Sequence, residues 1–147
     1  TDVLDCWEAM STPQGGASAI LSPRAHAMTD VTGFGLAGHL WNICAASGTG
    51  AEITLDAVPL LRGAEALAER GVRSTLEPQN RAALEPVMAP PDGARAALLF
   101  DPQTAGGLLA AVDADEADAL LTRLAEAGIP AVRIGQLTDR AGGIQLV

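Results

Sequence analysis

An acidic side chain followed by two glycines is the first feature of the sequence that could do chemistry. Asp30 comes at the end of a short extended run over residues 24–29, and Gly33 and Gly35 open a helix predicted over residues 33–47. Glycines let the backbone approach phosphate oxygens, a helix start favours anions, and a carboxylate supplies the hard oxygen that Mg²⁺ prefers. The pattern therefore fits a metal–phosphate site. It fits equally a helix that Asp30 caps through its side chain, with glycines that only allow close packing.

A second polar segment covers residues 100–109 (FDPQTAGGLL). Asp101 precedes a proline, which holds it in an extended conformation, and Gly106 with Gly107 leads into a predicted strand. The polar groups of Gln103 and Thr104 could face a cleft, or they could satisfy the backbone of their own turn. The residues by themselves leave both interpretations open.

The elements that must position these segments mix helices with strands. Apolar periodicity and end signals predict helices over residues 3–11, 14–21, 33–47, 59–70 and 114–127, and strands over residues 51–55, 95–100, 107–112, 131–136 and 144–147. We expect Asp113 to cap the helix over residues 114–127. Residues 72–93 predict a long loop with one helical piece near residues 80–88. The mixture indicates an α+β layered fold in a single domain over residues 1–147.

Composition limits the classes of function. The 147 residues are 48% hydrophobic and 18% charged, which is typical of one folded domain. The net charge of -9 disfavours nucleic-acid and membrane-surface partners, and no apolar run has the length of a membrane span. Cys6 and Cys44 form no CxxC motif, so we expect a reducing cytoplasm. Because the sequence starts at Thr1 without an initiator Met, we expect a domain cut from a longer chain.

The two polar segments together resemble the signatures of the selenophosphate synthetases (selenide, water dikinases). Residues 27–39 (AMTDVTGFGLAGH) are similar to the TDVTGFGLxGH stretch of that family, and residues 101–109 (DPQTAGGLL) to its DPQTSGGLL stretch, with Ala105 in place of Ser. The resemblance is to the C-terminal half, the second of the two domains found in the aminoimidazole ribonucleotide synthetase-like superfamily. It implies a three-layer α/β/α domain with a partly ferredoxin-like mixed sheet.

The resemblance also implies a reaction, cofactors and partners. The family uses ATP, selenide and water to give selenophosphate, AMP and phosphate, with Mg²⁺. By matching positions, Asp30 would be a metal ligand. The phosphate side of the cleft would be formed by Thr32, Gly33 and Gly35, and the cleft wall by Asp101, Gln103 and Thr104. The implied partners are the N-terminal domain of the same protein and, for the full-length enzyme, a second subunit of a homodimer.

Some family features have no counterpart in these 147 residues. The reactive Cys or selenocysteine and the catalytic Lys belong to the N-terminal domain, so we expect no catalytic residue here and no activity from the isolated chain. Residues 74–80 (STLEPQN) depart from the GGTxxN turn of the family and retain only Asn80. His39 matches the family's GH pair and is expected to make a hydrogen bond on the helix surface. His26 is given no role.

Two other functions remain compatible with the sequence. One is a different ATP-dependent synthetase of the same superfamily, although such relatives vary both signature strings. The other is a non-enzymatic interaction or dimerisation module, because every residue that would do covalent chemistry is absent.

Overall fold

The computed structural model describes residues 2–89, 91–139 and 142–147. The α-helices are α1 (Asp2–Ser11), α2 (Gly15–Leu21), α3 (Gly35–Ser47), α4 (Ala64–Glu69), α5 (Glu77–Leu84), α6 (Ala94–Ala97) and α7 (Ala117–Glu126). Short 3₁₀ turns cover Leu55–Ala57 and Leu98–Phe100. In these described ranges no helix is long and apolar enough to cross a membrane.

The strands form two small sheets. In the first, β1 (Ala27–Asp30) pairs antiparallel with β3 (Leu108–Ala111). In the second, β2 (Gly50–Ile53) lies between β4 (Gly135–Thr138), which is antiparallel to it, and β5 (Ile144–Leu146), which is parallel. Helices and a mixed sheet in one domain confirm the predicted α+β fold class.

The core is built around α3. Ala37 and Cys44 are fully buried on this helix, and Leu99 and Phe100 of the neighbouring 3₁₀ turn are 1% exposed. Apolar residues fall on two faces of this helix, with Leu36, Leu40 and Ile43 on one and Ala37, Trp41 and Ala45 on the other. This pattern predicts a largely buried helix, and the structure confirms it. Gly48 ends the helix in the left-handed conformation at φ 67°, where its N–H bonds to the carbonyl of Cys44.

The strand predicted over residues 95–100 is wrong. This segment forms α6 followed by the 3₁₀ turn at Leu98–Phe100. A short apolar run is compatible with either a buried strand or a buried helix, so its periodicity cannot separate them. The run is rich in alanine, which favours the helix.

The last strand before the C-terminal one is also displaced from its predicted position. The sequence predicts a strand over residues 131–136, whereas β4 covers Gly135–Thr138. A side chain at Gly135 would place its Cβ 1.9 Å from the carbonyl oxygen of Glu52, so this position of the pairing admits only glycine. The close approach of the two backbones explains why the first residue of β4 is a glycine.

The helix predicted over residues 59–70 is shorter in the structure, as α4, and the backbone just before residue 59 is bound by Arg95. Its guanidinium donates hydrogen bonds to the carbonyl oxygens of Leu55, Asp56 and Val58, and it forms an ion pair with Glu65 at 3.1 Å. These bonds hold the backbone over residues 55–58, and α4 begins only after Gly63, whose φ of 80° lies in the left-handed region. The helical piece predicted near residues 80–88 lies earlier in the chain than predicted, as α5 over Glu77–Leu84.

The expected cap at Asp113 is wrong. The residue before α7 is Glu116, which makes no side-chain cap hydrogen bond. Asp113 instead accepts from His26, with 2.9 Å between Oδ1 and Nε2, on an exposed part of the surface. His26, given no role from the sequence, therefore takes part in a surface pair.

Candidate functional site

The pairing of β1 with β3 brings the two polar segments together. Asp30 lies opposite Leu108, and beyond this pair the backbones remain joined. The N–H of Val31 donates to Gly107 O at 3.0 Å, and the N–H of Gly106 donates to Val31 O at 3.1 Å. The N–H of Gln103 donates to Thr32 O at 3.0 Å. Segments about seventy residues apart in sequence thus form one continuous surface.

Gly106 makes this junction possible. A Cβ at this position would lie 2.3 Å from the carbonyl oxygen of Val31, which real side chains do not tolerate. Gly106 therefore has a packing reason that is independent of any ligand, whereas a Cβ at Gly107 would meet no atom within 4 Å.

The carboxylate of Asp30 is exposed at the end of β1. Within the described ranges it has no hydrogen bond or ion pair. The residue that precedes α3 is Phe34, and that helix end has no side-chain cap hydrogen bond. The helix-cap interpretation of Asp30 is therefore wrong, and its oxygens are available to a ligand.

A single exposed carboxylate fits one position in the coordination shell of Mg²⁺, which takes oxygen ligands and keeps several waters. The part of the chain that the structure describes holds no group of three or more His, Cys, Asp or Glu side chains placed to share a metal. Asp30 could therefore hold such an ion only together with phosphate oxygens or with carboxylates from elsewhere.

His39 points from α3 into the loop that follows Asp30. It is 8% exposed, and its Nε2 accepts the backbone N–H of Thr32 at 3.0 Å and lies 3.2 Å from Thr32 Oγ1. The predicted position on the helix surface is wrong, because the ring is buried against the loop. Since Nε2 accepts a backbone N–H, the neutral ring carries its proton on Nδ1.

The glycines of the first segment differ in their surroundings. Gly35 is buried with φ 69°, and a Cβ there would lie 2.7 Å from Leu99 O. Gly33 is exposed, and a Cβ there would meet no atom within 4 Å. Gly35 thus has a packing role, and only Gly33 has open space beside it. The assignment of both residues and of half-buried Thr32 to a phosphate stays a prediction.

The predicted cleft-wall residues of the second segment differ in exposure and in their hydrogen bonds. Gln103 Nε2 donates to Asp101 O at 3.4 Å, so its side chain satisfies its own turn, while its backbone N–H joins the first segment. Thr104 is exposed. Asp101 is half-buried, and this burial raises the pKa of its carboxyl; the negative charge of Glu77 adds to the increase, and the positive charge of Arg73 opposes it.

An ion pair between buried Glu77 and half-buried Arg81 lies near Asp101. Glu77 is 6% exposed and accepts from Arg81, with 2.9 Å between Oε1 and Nε. The guanidinium of Arg81 lies 4.6 Å from the centroid of the Phe100 ring, close enough for a cation–π contact. The i, i+4 spacing of an acid and a base on one helix was the available sequence signal for this pair.

The side-chain amide of Asn80 contacts both segments at once. Its Nδ2 donates to Gly33 O at 2.9 Å and to Phe100 O at 3.0 Å. The sequence marks Asn80 as a retained family residue, but it gives no indication of these two partners.

A surface cavity of about 460 Å³ lies next to α5 but does not coincide with this site. Its charged lining carries both signs, with Arg73 and Arg81 beside Glu69 and Asp92. Because the charges offset one another and none of the predicted site residues lines it, the joined loops are the better candidate site.

Comparisons with protein families and with curated proteins agree on one family. The model of the AIR synthase related protein, C-terminal domain, matches residues 10–146. The selenide, water dikinase of Aeromonas hydrophila is 41% identical over 120 residues, which are 82% of this chain and 35% of the relative. That of Geobacter metallireducens is 41% identical over 121 residues (81% and 35%), and that of Nitratidesulfovibrio vulgaris 38% over 138 residues (91% and 39%).

A solved structure supports the fold. Thiamine-monophosphate kinase from Stenotrophomonas maltophilia matches with a TM-score of 0.63 and 24% identity, over 92% of this chain and 35% of that one. The chain spans just over a third of the length of the curated relatives it matches. It belongs to the AIR synthase related protein family, as a C-terminal domain of the selenide, water dikinase type.

Proposed function

We propose that this chain forms one wall of an ATP cleft in a selenide, water dikinase, which phosphorylates selenide and releases AMP and phosphate. The observation that carries the proposal is the junction of the two signature segments, which leaves the carboxylate of Asp30 exposed and unpaired among the described residues. The names of the relatives supply the reaction, because the site by itself indicates only a cation and phosphates.

In this proposal Asp30 provides one oxygen to Mg²⁺, and the loop at Thr32 and Gly33 faces the phosphates. When bound, the ion would neutralise phosphate charge, which is a large part of catalysis in phosphoryl transfer. The chain's own contribution is to hold Asp30 and the loop in a fixed arrangement. The hydrogen bonds from the Thr32 N–H to His39 and from the Gln103 N–H to Thr32 O support this, since they use polar groups of the loop internally and restrict its backbone.

The remaining ligands and the covalent chemistry would come from an N-terminal domain, and the full-length enzyme would be a homodimer. Asp30 alone offers too few ligands, so the two parts together would form the metal site. The free cysteines Cys6 and Cys44 suit a cytoplasmic location, where thiols stay reduced.

The first test compares the chain alone with a protein that also carries the other two-thirds of its relatives' length. The chain alone is expected to fold and to show no ATP-dependent phosphate release, with or without selenide. Turnover by the chain alone would refute the proposal that the site is divided between two domains.

The second test is Asp30→Asn in the longer protein. Loss of a metal-ligand charge is expected to lower selenide-dependent activity roughly 100-fold, whereas the thermal midpoint stays within about 1 °C because the carboxylate is exposed and unpaired among the described residues. Asp115→Asn removes an exposed carboxylate elsewhere and serves as the matched control. Equal activity of the two variants would contradict the role of Asp30.

A further inference from the structure

The two signature segments are held together unequally along their length. On the side of β3, three backbone hydrogen bonds join residues 31–32 to residues 103–107. On the other side, the carbonyls of Gly33 and Phe100 both accept from one side chain, that of Asn80. Asn80 lies on α5, a third segment that belongs to neither signature.

The chemistry of the contact specifies a carboxamide. Both partners are backbone carbonyl oxygens, so the group between them must supply two hydrogens and no lone pair. The NH₂ group of Asn80 does so at 2.9 and 3.0 Å. A carboxylate of the same shape would set a negative oxygen against two carbonyl oxygens and would repel both.

The helix that carries Asn80 is itself fixed against the second segment. The next residue, Arg81, packs its guanidinium over the Phe100 ring, donates to Glu77, and donates to Pro91 O at 3.0 Å. These contacts fix the rotation of α5 at the turn where Asn80 reaches the loops. The amide is therefore held at a defined place rather than on a free helix surface.

We propose that Asn80 is a positioning residue that sets the first signature loop against the second, and so keeps Asp30 and the neighbouring backbone in the arrangement the site requires. This inference rests on the proposed function for its purpose, but the bridge can be tested separately. Asn80 contacts the loops, not the reacting atoms, and acts through them.

The test uses the ¹⁵N-labelled chain of residues 1–147 and its Asn80→Ala and Asn80→Asp variants. Gln79→Glu is the matched control, because it also converts an amide to a carboxylate on α5, at an exposed neighbouring position. Amide hydrogen exchange is followed at Gly35, which donates to Thr32 O, and at Asp101, which donates to Leu98 O.

Exchange at Gly35 and Asp101 is expected to accelerate about 10-fold in Asn80→Ala, since two hydrogen bonds are lost at a site that water partly reaches. Asn80→Asp should accelerate it further, and Gln79→Glu should leave it unchanged. Leu120 of α7 serves as the internal reference. Exchange at Gly35 and Asp101 equal to wild type in both Asn80 variants would overturn the proposal.

A second readout separates positioning from stabilisation. Mn²⁺ added with ATP to the longer protein, which also carries the other two-thirds of its relatives' length, is expected to broaden the amide signals of residues 29–33, and Asn80→Ala in that protein should need about 10-fold more of the probe for the same broadening. A fall in the thermal midpoint with unchanged Mn²⁺–ATP broadening would assign Asn80 to stability alone and overturn its positioning role. No broadening in the longer wild-type protein would count against the metal site, whereas the exchange results on residues 1–147 would still decide the bridge.

Discussion

The buried hydrogen bond from the Thr32 N–H to His39 can be tested by replacing the acceptor. In His39→Leu the side chain is apolar and of similar size, so the core stays filled while Nε2 is lost. A donor left without a partner in a buried position costs about 1–3 kcal/mol, and the half-buried position of Thr32 favours the lower part of that range. We therefore expect a loss of about 1–2 kcal/mol in the free energy of unfolding.

His39→Gln is the matched variant. Its Oε1 lies the same number of bonds from Cα as Nε2 of histidine, so it can restore an acceptor, and Leu and Gln have similar helix propensities. The His39→Gln variant should therefore be more stable than the His39→Leu variant, although burial of the side chain by itself favours Leu. Asn42→Ala, on the exposed face of the same helix, should change stability by no more than about 0.5 kcal/mol.

The assay is urea denaturation followed by circular dichroism, together with the thermal midpoint. For a domain of this size, about 1 kcal/mol corresponds to roughly 2–4 °C. If His39→Leu is as stable as wild type, or if Leu exceeds Gln in stability, the Thr32 N–H gains nothing from His39. The His39 ring would then not be what fixes the loop.

Two further predictions concern the same surface. Gly35→Ala should destabilise the chain by about 3 kcal/mol or more, because the φ of Gly35 is positive and a Cβ there would meet Leu99 O. Gly33→Ala should cost less than about 1 kcal/mol, because a Cβ there would meet no atom. Equal denaturation midpoints of the two variants would contradict the packing role of Gly35. Asp101→Asn should raise the thermal midpoint at pH 7, because a raised pKa in the folded chain means that ionisation favours the unfolded chain. The gain should shrink as the pH falls through the raised pKa and disappear well below 3.8, the unperturbed value, where both states are protonated. A gain that persists unchanged at low pH would show that the charge of Asp101 is not its cause.

The sequence by itself determined the strongly patterned elements and the identity of the two signature segments. The buried helix α3 and the amphipathic α7 follow from apolar periodicity, which is a local property of the chain. The types and spacing of residues 29–35 and 101–109 carried the family, because those strings are long and occur in order. The α+β class followed from the mixture of elements.

The tertiary structure decided what each residue in those strings contacts. Sequence placed His39 on a helix surface and left Asn80 without partners, since a hydrogen bond to a loop distant in sequence leaves no periodic signal. It also read residues 95–100 as a strand, because a short apolar run packs equally well in either form until its neighbours are known. Gly35 makes room for a neighbouring backbone, whereas Gly33 has open space beside it. This difference in role could be seen only from the positions of atoms more than sixty residues away along the chain.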